Sequence, residues 1–162
     1  FIDYAVTPDA IENVLTTLRG IAPKRLVMLF GAGGDRDRKK RPIMGKLSAD
    51  IADFVIVTSD NPRTEDPMSI IEEILPGVRA GKAPYKVICD RPEAIRWAMD
   101  HAQPGDVIVL CGKGHETYQE IHDVILLCGK GHEDYQIIGH EKIHMDEREI
   151  VADYLAERAK RT

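Results

Sequence analysis

Two apolar periods alternate along the chain. Short, β-branched runs at 25–30, 54–57, 85–89 and 107–110 read as buried strands. Between them the apolar residues recur at helical spacing. Ile11, Val14, Leu15 and Leu18 form one such face, opened by Thr7-Pro8-Asp9 as cap, first-turn proline and dipole partner, and closed by Gly20. Residues 42–52 predict a helix with Ile43, Leu47 and Ile51 inward. Glu65-Asp66-Pro67 opens a helix that turns Ile70, Ile71 and Ile74 to the core. Arg91-Pro92 opens another with Ala94, Ile95 and Ala98 inward and Trp97 and Met99 at its edge. Residues 137–145 resemble a hairpin, and Asp146 caps a last helix with Ile150, Val151, Tyr154 and Leu155 facing the core. Strands alternating with helices of about three turns predict an α/β domain with a parallel, doubly wound sheet. Phe1-Ile2-Asp3-Tyr4 reads as a strand without an initiator methionine, so the chain is expected to be a piece of a longer protein.

Length and composition narrow the class. The chain has 162 residues, 43% hydrophobic and 30% charged, enough for one domain with a proper core and short for two. A net charge of −5 argues against a nucleic-acid partner, which would favour a basic face. No apolar run reaches membrane-spanning length and no signal-peptide pattern opens the chain, so no membrane association is expected. Cys89, Cys111 and Cys128 lie in apolar, strand-like contexts and make an odd count. Buried reduced thiols in a cytoplasmic protein account for them.

Candidate chemistry collects where strands end. The run 54–57 stops at Thr58-Ser59-Asp60-Asn61-Pro62-Arg63. Pro62 stiffens that turn and biases Asn61 toward an extended conformation, while Arg63 offers a planar fork of donors for a carboxylate or phosphate. The run 25–30 opens into Gly31-Ala32-Gly33-Gly34-Asp35-Arg36, where glycines allow backbone amides close to a ligand. This is not the dinucleotide fingerprint, because Arg36 takes the place of its last glycine, and no G-x-x-x-x-G-K-[ST] loop occurs anywhere. The basic run Arg36-Asp37-Arg38-Lys39-Lys40-Arg41 reads either as a solvated loop or as an anion site beside the glycines.

The segment 106–122 recurs as 123–139, with Cys111-Gly112-Lys113-Gly114-His115-Glu116 repeated as Cys128-Gly129-Lys130-Gly131-His132-Glu133. A single short repeat is a local tandem duplication and not a solenoid. Only one copy can fill a central strand, so the other is expected at an edge, in a hairpin or in a loop.

Asp3-Tyr4-Ala5, Phe30-Gly31-x-Gly33-Gly34-Asp35-Arg36-Asp37, Lys40-Arg41-Pro42, Asp60-Asn61-Pro62-Arg63 and Gly112-Lys113-Gly114-His115-Glu116, in this order, closely resemble one family. They are similar to the C-terminal domain of the Mur ligases, of the UDP-N-acetylmuramoyl-tripeptide synthetase type that adds meso-diaminopimelate. The resemblance runs nearly end to end and implies a Rossmann-like, mostly parallel sheet in a single domain, 1–162, with a C-terminal hairpin and helix. It implies ATP-dependent amide formation in peptidoglycan synthesis, in which the carboxylate of UDP-MurNAc-L-Ala-D-Glu becomes an acyl phosphate attacked by the diaminopimelate amine. Asp60, Asn61, Pro62 and Arg63 then mark the amino-acid site, with Asn61 and Arg63 on the ligand's far carboxylate and Arg36 as a second cation. Gly112 and Glu116, or Gly129 and Glu133 from the second copy, would hold the far ammonium. The second copy is favoured, because it continues into the last helix as the family's tail does. Asp3, Tyr4, Gly33, Gly34 and Asp35 would form part of the nucleotide wall. ATP and Mg2+ would be bound mainly by a central domain outside this chain, and UDP-MurNAc-dipeptide by other domains as well. No catalytic residue and no metal ligand is expected here, and the piece alone is expected to be inactive. Val6 stands where the family usually has histidine, which implies weaker ATP contacts from that edge.

Rival readings are fewer. Cys111 with His115 and Cys128 with His132 could supply four zinc ligands, but structural zinc sites use tighter knuckles. Nothing marks either thiol as an activated nucleophile. A non-catalytic nucleotide- or anion-binding module could use the glycine loop and basic run alone. A folylpolyglutamate or cyanophycin synthetase would share the superfamily but not the Asp-Asn-Pro-Arg turn.

Overall fold

A computed structural model describes residues 1–21, 24–114, 116 and 146–160. Within them, five strands and five helices follow one another: β1 (Ile2–Asp3), α1 (Pro8–Arg19), β2 (Arg25–Phe30), α2 (Lys40–Ile51), β3 (Phe54–Val57), α3 (Pro67–Ala80), β4 (Tyr85–Val87), α4 (Arg91–Asp100), β5 (Asp106–Cys111) and α5 (Glu147–Ala159). The sheet runs β1-β5-β2-β3-β4, and every pairing in it is parallel. This is the doubly wound α/β architecture that the alternating pattern predicts. The second repeat copy and the 137–145 hairpin lie outside the described residues.

Alternation along the strands builds two cores, because successive side chains leave opposite faces of a sheet. Leu26, Met28 and Phe30 of β2, with Val55 and Val57 of β3 and Val109 and Cys111 of β5, pack with α1, α2 and α3 on one face. Val27 and Leu29, with Ile56 and Leu110, pack against Ala94, Ile95 and Ala98 of α4 on the other. Parallel strands covered on both faces read as continuous apolar runs, which is why β2, β3 and β5 are legible. Among the described residues no helix is long and apolar enough to cross a membrane.

The caps are local and follow the sequence. Thr7 Oγ1 accepts from Ala10 N at 3.3 Å, Asp66 Oδ1 from Ser69 N at 2.8 Å and Asp90 Oδ1 from Glu93 N at 2.7 Å. Asp146 caps α5 as predicted.

Three details differ from the pattern. Helix α2 starts at Lys40 and buries Arg41, Met44, Gly45, Ser48 and Ala49, whereas Ile43 is 50% exposed. The cause is α3: a Cβ on Gly77 would overlap the Pro42 carbonyl, so the two helices meet along a small-residue seam that turns Ile43 outward. Strand β4 ends at Val87, after which Asp90 caps α4. On α5, Ile150 and Val151 pack against the second core, but Leu155 is 52% exposed and the helix's fully buried residue is Glu147.

Candidate functional site

The strand order puts the carboxyl ends of β2, β3 and β5 side by side, with the loops that follow them around one cavity of about 250 Å³. Gly31, Ala32, Gly33, Arg36 and Asp37 line it from the loop after β2, and Lys40, Arg41 and Met44 from α2. Asp60, Asn61 and Arg63 enter from the turn after β3, Gly112 and Glu116 from the loop after β5, and Tyr4, Val6 and Thr7 close the lip.

The first two loops are locked together. Gly34 N donates to the Asn61 carbonyl at 2.8 Å, and a Cβ on Gly34 would overlap the Pro62 carbonyl. Arg63 has φ 53°, in the left-handed region, and this sparsely populated conformation turns its side chain across the glycine loop. There Nη1 donates to the Gly34 carbonyl at 2.8 Å. Asp35, also left-handed at φ 52°, takes the Thr64 hydroxyl at 2.7 Å, and its N–H donates to Glu65 Oε1 at 2.6 Å.

The third loop closes on the second through a buried ammonium. Lys113 is fully buried, pairs with Asp60 Oδ1 at 3.0 Å and Glu116 Oε2 at 3.4 Å, and donates to Asn61 Oδ1. The Asn61 Nδ2 donates in turn to Glu116 Oε2 at 3.2 Å, while the Tyr4 hydroxyl donates to Glu116 Oε1 at 3.1 Å. Burial alone would raise the Asp60 carboxyl, but the Lys113 and Arg91 charges outweigh it and hold it below the usual range. Burial and the adjacent Glu116 charge push the Tyr4 phenol up. Gly112, at φ +111°, is where a side chain would fail twice, since a Cβ would also sit 2.8 Å from Asp60 Oδ2.

The cavity is therefore lined by charges of both signs. Arg36 and Lys40 are exposed, and among the described residues no carboxylate pairs with either. Asp37, Asp60 and Glu116 line the same cavity. The basic run is only partly a site element. Arg41 is 1% exposed and is committed to Glu65 at 2.8 Å, Glu73 at 2.7 Å and the Gly33 carbonyl at 3.1 Å, and Arg38 also pairs with Glu65. A charge run on paper is thus a buried ion-pair cluster joining α2 to α3.

Of the residues singled out from sequence, Arg36, Asp60, Asn61, Arg63, Gly112, Glu116, Tyr4 and Gly33 come together around the cavity. Pro62 and Gly34 lie behind its wall, where they pack on each other. Asp3 is turned inward to accept from Ala5 N at 2.8 Å, and Asp35 is engaged by Thr64. Gly129 and Glu133 lie outside the described residues, and in the described part the first copy of the loop, with Lys113 and Glu116, lines the site. His115, Cys128 and His132 are likewise outside, and burial pushes the Cys111 thiol up to about 12. Among the described residues no three His, Cys, Asp or Glu side chains gather as metal ligands.

Sequence reasoning missed the roles of Lys113 and Arg91, both fully buried. Arg91 had a signal: a cation in the first turn of a helix opposes the dipole, so it needs another reason to be there.

Comparisons with known proteins identify the family. The family described as Mur ligase, glutamate ligase domain matches residues 1–114. The chain is 50% identical over 160 residues to a UDP-N-acetylmuramoyl-L-alanyl-D-glutamate--2,6-diaminopimelate ligase of Caldanaerobacter subterraneus subsp. tengcongensis, covering 99% of this chain and 30% of that protein. It is 51% identical over 159 residues to the ligase of the same name from Trichormus variabilis, covering 98% and 28%. A solved structure of a UDP-N-acetylmuramoyl-L-alanyl-D-glutamate--2,6-diaminopimelate ligase superposes with a TM-score of 0.79 and 39% identity, over 98% of this chain and 29% of the other. The chain thus spans about 30% of the length of the first of these relatives. Matched by that family over residues 1–114 and superposing on that solved ligase, this chain belongs to the Mur ligase family, in its glutamate ligase domain.

Proposed function

We propose that this chain is the domain that receives meso-diaminopimelate in an ATP-dependent ligase joining that amino acid to UDP-MurNAc-L-Ala-D-Glu in cytoplasmic peptidoglycan synthesis. The observation that carries the reading is that one cavity gathers the cations Arg36, Lys40 and Arg63 with the carboxylates of Asp60 and Glu116. A zwitterionic end needs cations and anions on opposite sides of it. Arg36 and the Asn61–Arg63 turn face where the far carboxylate would lie, and Glu116 with the Gly112 carbonyl where the far ammonium would. Lysine lacks that carboxylate, so it leaves the cations unanswered.

ATP would meet this domain at the lip. Tyr4 is 47% and Val6 40% exposed there, a ring and a branched side chain suited to the face of a base. When bound, ATP supplies the phosphoryl group that activates the acceptor carboxylate. Asp3 and Asp35 are committed to the backbone and to Thr64, so their part in a nucleotide wall is structural. ATP and Mg2+ would be held mainly by parts of a longer ligase, since the chain spans about 30% of the length of its first relative.

Calorimetric titration of the chain with meso-diaminopimelate, and with L-lysine as control, tests the reading. Binding is expected for the first at least tenfold tighter than for the second, and Arg36→Ala is expected to remove the difference. Equal affinities in a folded protein would sink the reading. Binding of ATP or phosphate alone would instead favour an anion-binding module, which Arg36 and Lys40 could serve.

A further inference from the structure

Arg91 lies beneath the cavity and does not line it, yet it touches both loops that do. Its Nη1 donates to the Ser59 carbonyl at 3.2 Å and its Nη2 to the Cys111 carbonyl at 2.8 Å. Those carbonyls immediately precede Asp60 and Gly112. The third contact, Nε to Glu147 Oε1 at 2.5 Å, comes from α5, and both side chains are buried, at 0% and 2% exposure. One planar fork thus spans the ends of β3 and β5 and the start of α5, which only a guanidinium can do with its fixed donor directions.

We propose that Arg91 is a positioning residue: it sets the spacing between the Asp60–Arg63 turn and the Gly112–Glu116 loop, and through Glu147 it makes that spacing depend on the docking of α5. The spacing has little slack, because a Cβ on Gly112 would already press on Asp60 Oδ2 at 2.8 Å. Lys113 reaches Asp60 and Asn61 only while the two loops keep their distance. Arg91 opens α4, where its charge works against the helix dipole, so helix stability does not explain it. Elsewhere on α5 Ile150 and Val151 half-bury against the second core, the Tyr154 hydroxyl donates to Asp100 at 2.5 Å and Glu157 lies 3.9 Å from Arg96, but Arg91–Glu147 is the fully buried ion pair. Releasing α5 would strip Arg91 of its directly paired carboxylate, Glu147, and loosen its hold on the two carbonyls. For its ligand the inference rests on the amino-acid site proposed above; the loop geometry can be tested without it.

The test is amide hydrogen exchange, read by mass spectrometry on the 162-residue chain without ligand, for the wild type, Arg91→Lys and Glu147→Ala. Lysine keeps the charge but cannot reach three acceptors. Segments 59–64 and 111–116 are expected to exchange at least tenfold faster in Arg91→Lys, with α1 and α3 unchanged. In Glu147→Ala the same two segments are expected to speed up together with α5. If Arg91→Lys fails to fold, Glu147→Ala alone decides, because α5 lies at the periphery of the core. Faster exchange confined to α5 would overturn the proposal and leave the pair as an attachment for that helix. Titration adds an independent readout: Arg91→Lys is expected to weaken meso-diaminopimelate about tenfold, more than it weakens L-lysine. A wild type that binds neither would overturn the amino-acid reading while the exchange result still decides the spacing.

Discussion

Glu65 shapes the cavity without lining it. It accepts from Arg41 and Arg38 and from the N–H of Asp35, so one carboxylate anchors α2, the glycine loop and the turn that carries Arg63. The Arg41 hydrogen bonds outweigh burial and lower its carboxyl to about 2. A lowered carboxyl contributes stability above its unfolded value near 4.5, and that stability is lost as the pH falls toward about 2. Glu65→Gln is therefore expected to cost about 1–2 kcal/mol at pH 7, solvent screening included, and progressively less below pH 4.5. Urea unfolding of both proteins at pH 7 and pH 3 checks this, and an equal cost at the two values would count against it. None of this is legible in sequence. A run of six residues with five cations reads as a solvated loop or an anion site until Glu65 and Glu73 are folded beneath it. Asp60, Asn61 and Arg63 are legible, because a turn at the end of an apolar strand limits where their side chains can go.

At the scale of elements, caps are the most readable features and helix faces the least. Thr7, Asp66, Asp90 and Asp146 each mark a helix start through a bond within a few residues. The inward face of α2 departs from its apolar pattern because packing, and not hydrophobicity, selects it: Gly45 and Gly77 let α2 and α3 approach, and Ile43 is left outside. Gly77→Ala is expected to force these helices apart, at about 2 kcal/mol, and to lower the melting temperature by about 4–8 °C. Thermal unfolding followed by circular dichroism measures it, and an unchanged midpoint would show that the seam can yield. On α5 the pattern fails for a related reason. The helix is held by the buried Arg91–Glu147 pair at its start more than by an apolar stripe.

For the whole molecule, the doubly wound fold is readable from the alternation alone, since three strands covered on both faces leave runs that no exposed strand would tolerate. The ordering of strands is not readable, because nothing local says which runs are neighbours. That ordering has a consequence for how the chain is made. The last of the described strands, β5, sits inside the sheet between β1 and β2, and 81 residues separate Arg25 from its partner Asp106. As the chain leaves the ribosome from its amino end, β2, β3 and β4 can pair early, but the seat beside β2 stays vacant until β5 emerges. A nascent chain halted at residue 105 should therefore be digested rapidly by protease, and one halted after α5 should resist. Equal resistance would show that β2, β3 and β4 already form a stable unit. The cavity is then a late product of translation: its two facing walls meet only when the strand that joins them is inserted.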